Sequence, residues 1–214
     1  MEWKLLDALA PPDRQRLMDS CDRRHFGRRQ ELFGHGDRSD GMHLVVQGRV
    51  IVRMGTPAGD YATLSVVGPQ EIVGEQSLLA GDARRSASAL ALDPVETLYL
   101  SRDAFERLRT RHPSVDRFLI GLLTARVLRL SDQLVEALFV PAHQRVLRRV
   151  VDAAGAYRRD RVPLTQEDIA TMAGSTRPTV NRVLRRAEEA GMLRLGRGHL
   201  QILDPRALHA LAYG

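Results

Sequence analysis

The chain has a single cysteine, Cys21, in 214 residues. No disulfide can close within it, and a cysteine-ligated iron–sulfur cluster or structural zinc site has no ligand set. Cys21 therefore reads as a buried or idle thiol. Long apolar runs are missing as well, since nothing approaches the roughly 18 consecutive apolar residues of a membrane-spanning helix. The opening segment MEWKLLDALAPPD carries acidic residues and lacks an apolar h-region, so it does not read as a secretory signal. No nucleophile–base constellation and no metal-ligand spacing occurs, which argues against an enzyme. Together these absences point to the cytoplasm. Lysine is almost unused, with Lys4 alone among 32 basic residues. That scarcity reads as a compositional bias.

The net charge of +6 is unevenly placed. Residues 1–140 hold 19 basic and 19 acidic side chains, whereas residues 141–214 hold 13 and 7. A basic excess confined to the last third suits a polyanionic partner, because each neutralised phosphate releases counterions. Charge alone leaves a solvated arginine-rich surface equally open.

Periodicity divides the chain further. Residues 5–20 read as a short helix with Leu5, Leu6 and Leu9 as its apolar cluster, interrupted by Pro11-Pro12 before Asp13 restarts it. From 25 to 100, short runs rich in Val, Leu and Ile (HLVVQGRVIVRM, YATLSVV, RRSASALALD, VETLYL) alternate with turns marked by glycines such as Gly36, Gly48, Gly74 and Gly81. Strands of this length and spacing predict an antiparallel barrel or roll. Ser101 is placed to cap a helix over RDAFERLRTRH. Pro113 and Ser114 open a longer one in which Val115, Leu119, Leu122, Leu123, Val127, Leu130, Leu134 and Leu138 recur at three- and four-residue steps. That stripe can pack on the chain's own barrel or pair with a second copy. Its length favours the second copy. Pro141 ends the run and marks a hinge.

Beyond the hinge, AHQRVLRRVVDAAGA reads as a helix and YRRDRVP as a polar link. In LTQEDIATMAGSTRPTVNRVLRRAEEAGML, Thr165 and Asp168 are spaced to cap a helix reciprocally, with Ile169, Met172 and Ala173 on its buried face. Gly174 stops that helix, and Ser175 or Thr176 caps the next. At about 100° per residue, Val180, Val183, Leu184 and Ala187 fall on one side of this second helix, and Arg177, Asn181, Arg182, Arg185 and Arg186 on the other. Two short helices, a glycine turn and an arginine-rich outer face are the parts of a helix-turn-helix. Arginine can grip guanine O6 and N7 through two hydrogen bonds, and asparagine can do the same for adenine. Thr176, Thr179 and the helix N-terminus suit phosphate contacts. LRLGRGHLQILD then reads as a hairpin turning at Gly196-Arg197-Gly198, a wing whose tip Arg197 faces either DNA backbone or solvent. A helical hairpin used for protein contact is the alternative, and the arginine face with the local charge excess favours DNA.

Three stretches in this order resemble the cyclic-AMP receptor protein/fumarate-nitrate regulator (CRP/FNR) family, and the resemblance runs from about residue 5 to 210. LFGHGDRSDGMHLVVQGRVIV resembles the glycine-rich opening of the family's cyclic-nucleotide-binding roll. VGEQSLLAGDARRSASALA resembles its phosphate-binding cassette. LTQEDIATMAGSTRPTVNRVLRRAEEAGML resembles its helix-turn-helix. The resemblance implies an α+β chain: an antiparallel, jelly-roll-like β-roll sensor at 1–110, a dimerisation helix at 111–140 and a winged helix-turn-helix at 141–214. It implies a ligand site at Gly74, Glu75, Arg85, Ser86, Ala87 and Ser131, with Glu75 accepting from a ribose hydroxyl and Arg85 and Ser86 holding a phosphate. An internal ion pair of Glu75 with Arg85, bracing the roll, is the alternative. Cyclic AMP is the implied effector and no cofactor is required. The implied partners are double-stranded DNA bearing an inverted repeat, a second copy of the chain and RNA polymerase, with no membrane.

The chain departs from the family's pattern in two places. Where cyclic-AMP-responsive members have a threonine then a serine facing the adenine, this chain has Leu130 and Ser131, and Leu130 cannot hydrogen-bond. Pro178 stands where the family's best-known reader has a glutamate that reads cytosine. Proline is compatible with a first helical turn but cannot accept from a base. The cysteine cluster of oxygen-sensing members is missing, and His25, His35 and His43 are expected in turn or strand-surface roles, not as haem ligands. A constitutive regulator, or a sensing subunit that docks on another protein, are the competing readings. Failure to enrich any inverted repeat from random DNA would favour docking. Arg182→Ala is expected to cost about 1–3 kcal/mol on the specific site and to relax preference at one base pair. Equal loss on every DNA sequence in a gel-shift titration would reduce Arg182 to a phosphate contact.

Overall fold

The computed structural model describes residues 9–57, 59–79, 84–157 and 160–214. Two compact units emerge, one from residues up to 54 with 64–129, the other from 55–63 with 130–214. Leu5, Leu6 and Gly81 lie outside the described residues.

Among the described residues, the first element of the first unit is helix α1 (Pro11–Asp19). It starts at Pro11, two residues before the expected restart at Asp13: Pro11 and Pro12 occupy the first turn, with Ala10 as N-cap. Proline's missing N–H is no loss there, and its fixed φ already suits a helix. Strands β1 (Asp22–Phe26), β2 (Glu31–Phe33), β3 (Gly41–Gln47), β4 (Val50–Gly55), β5 (Tyr61–Val67) and β6 (Ile72–Val73) follow. Then come helix α2 (Gln76–Leu79), strands β7 (Ser88–Ala91) and β8 (Val95–Ser101), and helix α3 (Arg102–Arg111). The strands form two four-stranded sheets, ordered β1-β8-β3-β6 and β2-β7-β4-β5. Strand β3 passes into β4 through Gly48, whose φ is +81° and whose added Cβ would collide with the Pro94 carbonyl, so the crossing between sheets requires glycine.

Alternation along the strands builds two cores. Met42 and Leu44 of β3 and Leu98 and Leu100 of β8 face α1 and α3, meeting Leu17, Phe105 and Leu108. The intervening residues point between the sheets, where Val45, Val50, Val67, Ala89, Ala91 and Val95 pack. His43 belongs to this inner layer. Its side chain is 1% exposed, hydrogen-bonds Thr97 Oγ1 at 3.0 Å and packs edge-on to Phe26 and Tyr99. That corrects the expected strand-surface role: β3 is buried on both faces, so the pleat has no solvent side here. His25 and His35 are exposed as expected. Cys21 is half-buried, donates to the Leu17 carbonyl at 3.2 Å and has its thiol pushed up to about 11 by burial and by Asp22.

Helix α3 is capped by Ser101, whose hydroxyl accepts from the Ala104 N–H at 3.3 Å. The long helix α4 (Ser114–Phe139) follows. Its apolar stripe divides. Val115 and Leu119 are buried in the first unit's core, while Val127, Leu130, Leu134 and Leu138 are exposed, with Ile120, Leu128, Val135 and Phe139 beside them.

In the second unit, α5 (Ala142–Tyr157) begins directly after Pro141. Strand β9 (Arg161–Val162), helices α6 (Gln166–Ala173) and α7 (Arg177–Glu189), strands β10 (Leu193–Gly196) and β11 (His199–Ile202), and a terminal helix α8 (Pro205–Tyr213) complete it. The expected two-stranded wing is a three-stranded sheet, ordered β10-β11-β9, because Arg161 and Val162 of the polar link pair with Gln201 and Leu200. Arg145 on α5 ties this unit together. Its guanidinium donates to the carbonyls of Val140 (2.8 Å) and Ala137 (3.3 Å) at the end of α4, and to those of Ala173 (3.0 Å) and Gly174 (3.1 Å) in the turn between α6 and α7. Glu136 pairs with Arg148 and Arg149 across the same hinge.

Burial, with Arg24 and Arg85 nearby, pushes the His43 imidazole down to about 3. The unfolded chain therefore takes up the proton first, at about pH 6.5. Stability from this site is complete above that pH and is lost as pH falls towards 3, by about 1.4 kcal/mol per unit. Urea unfolding at pH 7.5 and 5 is expected to show the loss, and His43→Phe to flatten it. An unchanged slope in the variant would remove His43 as its source.

Candidate functional site

The cassette between β6 and β7 begins at Gly74, whose φ is +91°. A Cβ there would stand 2.7 Å from Arg85 Nη1 and 3.2 Å from the Phe33 ring. Glycine therefore satisfies the backbone and leaves room for the arginine. Glu75, next in sequence, is fully buried, and its carbonyl accepts from Leu78 and Leu79 N–H in the short α2. Arg85 is 3% exposed. Its backbone is stitched to the glycine-rich turn, donating to the Asp37 carbonyl at 2.8 Å and accepting from the Gly36 N–H at 2.9 Å. Its guanidinium lies over Phe33, 4.2 Å from the ring centre, and donates to the Gly74 carbonyl at 2.9 Å and to Asp40 Oδ1 at 3.3 Å. Ala87 is buried, Ser86 is exposed, and Arg84 is exposed while donating to the Gly36 carbonyl at 2.8 Å.

Gly74, Glu75, Arg85, Ser86 and Ala87 thus form one cluster, but not by the ion pair expected as the alternative. Glu75 pairs with Arg126 of α4, whose other nitrogen donates to the Ile72 carbonyl at 2.8 Å. Arg85 pairs with Asp40. Each buried charge therefore has its own counter-charge from another element. Glu75 Oε2 and Arg85 Nε remain buried without a hydrogen-bond partner from another described residue. Burial raises the Glu75 carboxyl's pKa, against the Arg126 charge and hydrogen bond. Burial would raise Asp40 too, but its hydrogen bond to Tyr99 and the Arg85 and Arg24 charges outweigh that and hold it low. Tyr99 is itself pushed up to about 12, by burial and by Asp40.

Arg126 and Asp40 were missed in the sequence. Arg126 carried a signal: it stands four residues after Leu122 and three after Leu123, inside the apolar stripe where an arginine is out of place. Ser131, five residues further along α4, belongs to the second unit and is exposed there.

The second site lies on α6, α7 and the wing. Thr165 and Asp168 make the reciprocal cap of α6, with Thr165 N–H donating to Asp168 Oδ2 at 2.8 Å and Asp168 N–H to Thr165 Oγ1 at 3.2 Å. Gly174 ends α6 in the left-handed region, and Thr176, not Ser175, caps α7 by accepting from the Thr179 N–H at 3.4 Å. Val180, Val183, Leu184 and Ala187 are buried. Arg177, Asn181, Arg182, Arg185 and Arg186 are exposed, with Thr179 half-buried. Among the described residues Arg177, Arg182 and Arg186 form no ion pair, so their charge is available to an outside anion. Arg185 is paired with Glu188 at 2.9 Å, and Asn181 donates to Gln166 Oε1 at 3.1 Å. The wing turns at Arg197-Gly198, between the paired Gly196 and His199.

The cyclic nucleotide-binding domain model matches residues 23–112, and the Crp-like helix-turn-helix domain model matches residues 125–211. The chain is 34% identical over 214 residues to the cyclic AMP receptor protein of Thermus thermophilus, an alignment covering 98% of this chain and 97% of that one. It is 27% identical over 190 residues to the CRP-like cAMP-activated global transcriptional regulator of Mycobacterium tuberculosis, covering 86% of this chain and 84% of the relative. A solved structure from Eubacterium rectale, ascribed to the CRP/FNR family, has a TM-score of 0.82 over 99% of each chain at 17% identity, a likeness of fold. A nucleotide-binding roll followed by a winged helix-turn-helix defines a class of ligand-sensing, DNA-binding proteins. This chain belongs to the CRP/FNR family of transcription regulators.

Removing Arg126 would leave Glu75 as an uncompensated buried carboxylate. Arg126→Met is expected to destabilise the first unit by about 3–5 kcal/mol at neutral pH. Glu75→Leu combined with Arg126→Met is expected to recover most of that loss. Additive losses in a thermal-melt double-mutant cycle would show that the two do not act as a pair.

Proposed function

We propose that the chain works in the bacterial cytoplasm as a two-fold dimer on inverted-repeat DNA, controlled by a cyclic nucleotide in the roll and acting on RNA polymerase. The observation that carries the ligand is the pair of buried, opposite charges at Glu75 and Arg85, each with an unsatisfied polar atom. A buried polar atom without a partner costs about 1–3 kcal/mol, which a ligand can recover. A ribose hydroxyl can donate to Glu75 Oε2. A cyclic phosphate can take Arg85 from Asp40, with Ser86 beside it. The Thermus thermophilus relative's name supports cyclic AMP as the nucleotide. The exposed leucines of α4 support the dimer, since an apolar stripe on a helix this long needs a cover, and Ser131 on that helix is the proposed contact to the base. Arg177 and Arg182, without an ion pair among the described residues, support base reading, and Thr176, Thr179 and Arg185 support phosphate contact.

A second reading has its own support. Glu75 and Arg85 already hold internal partners in Arg126 and Asp40, as a constitutive regulator with a braced roll would require. Calorimetric titration with cyclic AMP and cyclic GMP separates the two. Saturable micromolar or tighter heat with cyclic AMP, lost in Arg85→Leu while the dimer persists, is expected. No heat with either nucleotide, from protein that still selects an inverted repeat, would establish the constitutive reading.

A further inference from the structure

Pro178 removes a polar reader from the first turn of α7, because proline's side chain offers a base edge neither donor nor acceptor. Asn181 stands three residues on, one turn along the same face, and is exposed. It is not loose. Its Nδ2 donates to Oε1 of Gln166, the first residue of α6, at 3.1 Å. The helices that carry the two amides are fixed beneath them by Ile169 and Leu184, both fully buried. Gln166, Arg177 and Asn181 line one cleft, closed on its far side by the wing at Gly196 and His199.

An asparagine amide offers two N–H donors and one carbonyl. With one N–H committed to Gln166, one N–H and the carbonyl remain, the donor–acceptor pair that matches N7 and N6–H₂ of adenine. With Gln166 accepting, the Asn181 amide is held in the orientation that leaves this donor–acceptor pair free to read adenine. Holding the side chain before DNA arrives also lowers the ordering cost at binding.

We infer that Gln166 is a positioning residue for Asn181, and that the pair makes one base pair of each half-site adenine-specific in place of the position that Pro178 cannot read. The inference rests on α7 being the DNA-reading helix.

The test uses the full-length dimer and a randomised DNA library, followed by affinities for the enriched operator changed one base pair at a time. Asn181→Ala is expected to erase adenine preference at a single position of the half-site. Gln166→Ala is expected to weaken preference at that same position by about 2- to 10-fold, the cost of ordering one side chain. It should add nothing in the Asn181→Ala background, and its melting temperature should be unchanged, because the hydrogen bond it loses lies exposed at the surface. Gln166→Glu can only accept a hydrogen bond. It should keep the adenine preference while lowering affinity for every sequence through repulsion from phosphate. Uniform loss in Gln166→Ala, additive with Asn181→Ala, would overturn the inference and make Gln166 a phosphate contact. Loss of the preference in Gln166→Glu would overturn it by showing that Gln166 donates. Unchanged selection in Asn181→Ala, with a repeat still enriched, would overturn it while leaving α7 as the reader. Failure of the unaltered protein to enrich any repeat would overturn both.

Discussion

The ion pair between Glu75 and Arg126 sets the terms for the first unit. A carboxylate with no solvent exposure cannot stay charged without a partner, and the partner, Arg126, stands 51 residues later in the chain. Arg126 also binds the Ile72 carbonyl, so one guanidinium joins the start of β6, the start of the cassette and the middle of α4. Among the described residues, α4 has its apolar hold on the roll in its first turns, through Val115, Phe118, Leu119 and Leu122. Beyond them the electrostatic contact takes over. Any ligand group that competes for Glu75 therefore acts on the helix as well as on the cassette. A regulator of this family needs such a connection, because a ligand shifts an equilibrium only through contacts that differ between its two states.

The Arg85 side of the pocket follows another logic. Asp40 lies in the glycine-rich turn and is two-thirds exposed, so its hold on Arg85 is screened by water and is the easier of the two pairs to exchange. The Phe33 ring and the Gly74 carbonyl keep the guanidinium oriented whichever anion it meets. Gly74 matters twice, since its positive φ turns the chain and its missing side chain admits Arg85.

Much of this was legible in the sequence, for reasons that differ by element. The reciprocal cap of α6, the glycine stop and the four buried residues of α7 follow from local rules acting within a few residues. Ser101 capping α3 is of the same kind. What local rules could not reach was pairing over distance. Strand β9 has two residues and no alternation to detect, and it exists only because β11 offers it an edge. Helix α8 opens on Pro205 behind its Asp204 cap and lies beyond the elements that periodicity in the sequence marks out. His43 was misplaced because the residues around it in β3 read equally well as a half-buried strand, and only packing of the second sheet closes its outer face. The partners of Glu75 and Arg85 were hidden for the same reason: sequence proposes charges, but only topology decides which ones meet.

Arg145 gives the second unit a mechanical property. One flat, rigid group spans two carbonyls at the end of α4 and two in the turn that launches α7. Lysine could not do this, having a single point of charge and no fork. With Glu136 braced against Arg148 and Arg149 on the same segment, Pro141 is bridged on several sides. The joint between helix and reading head therefore behaves as a crank, not a swivel. Torque carried by the last turns of α4 therefore reaches the recognition helix with little slack.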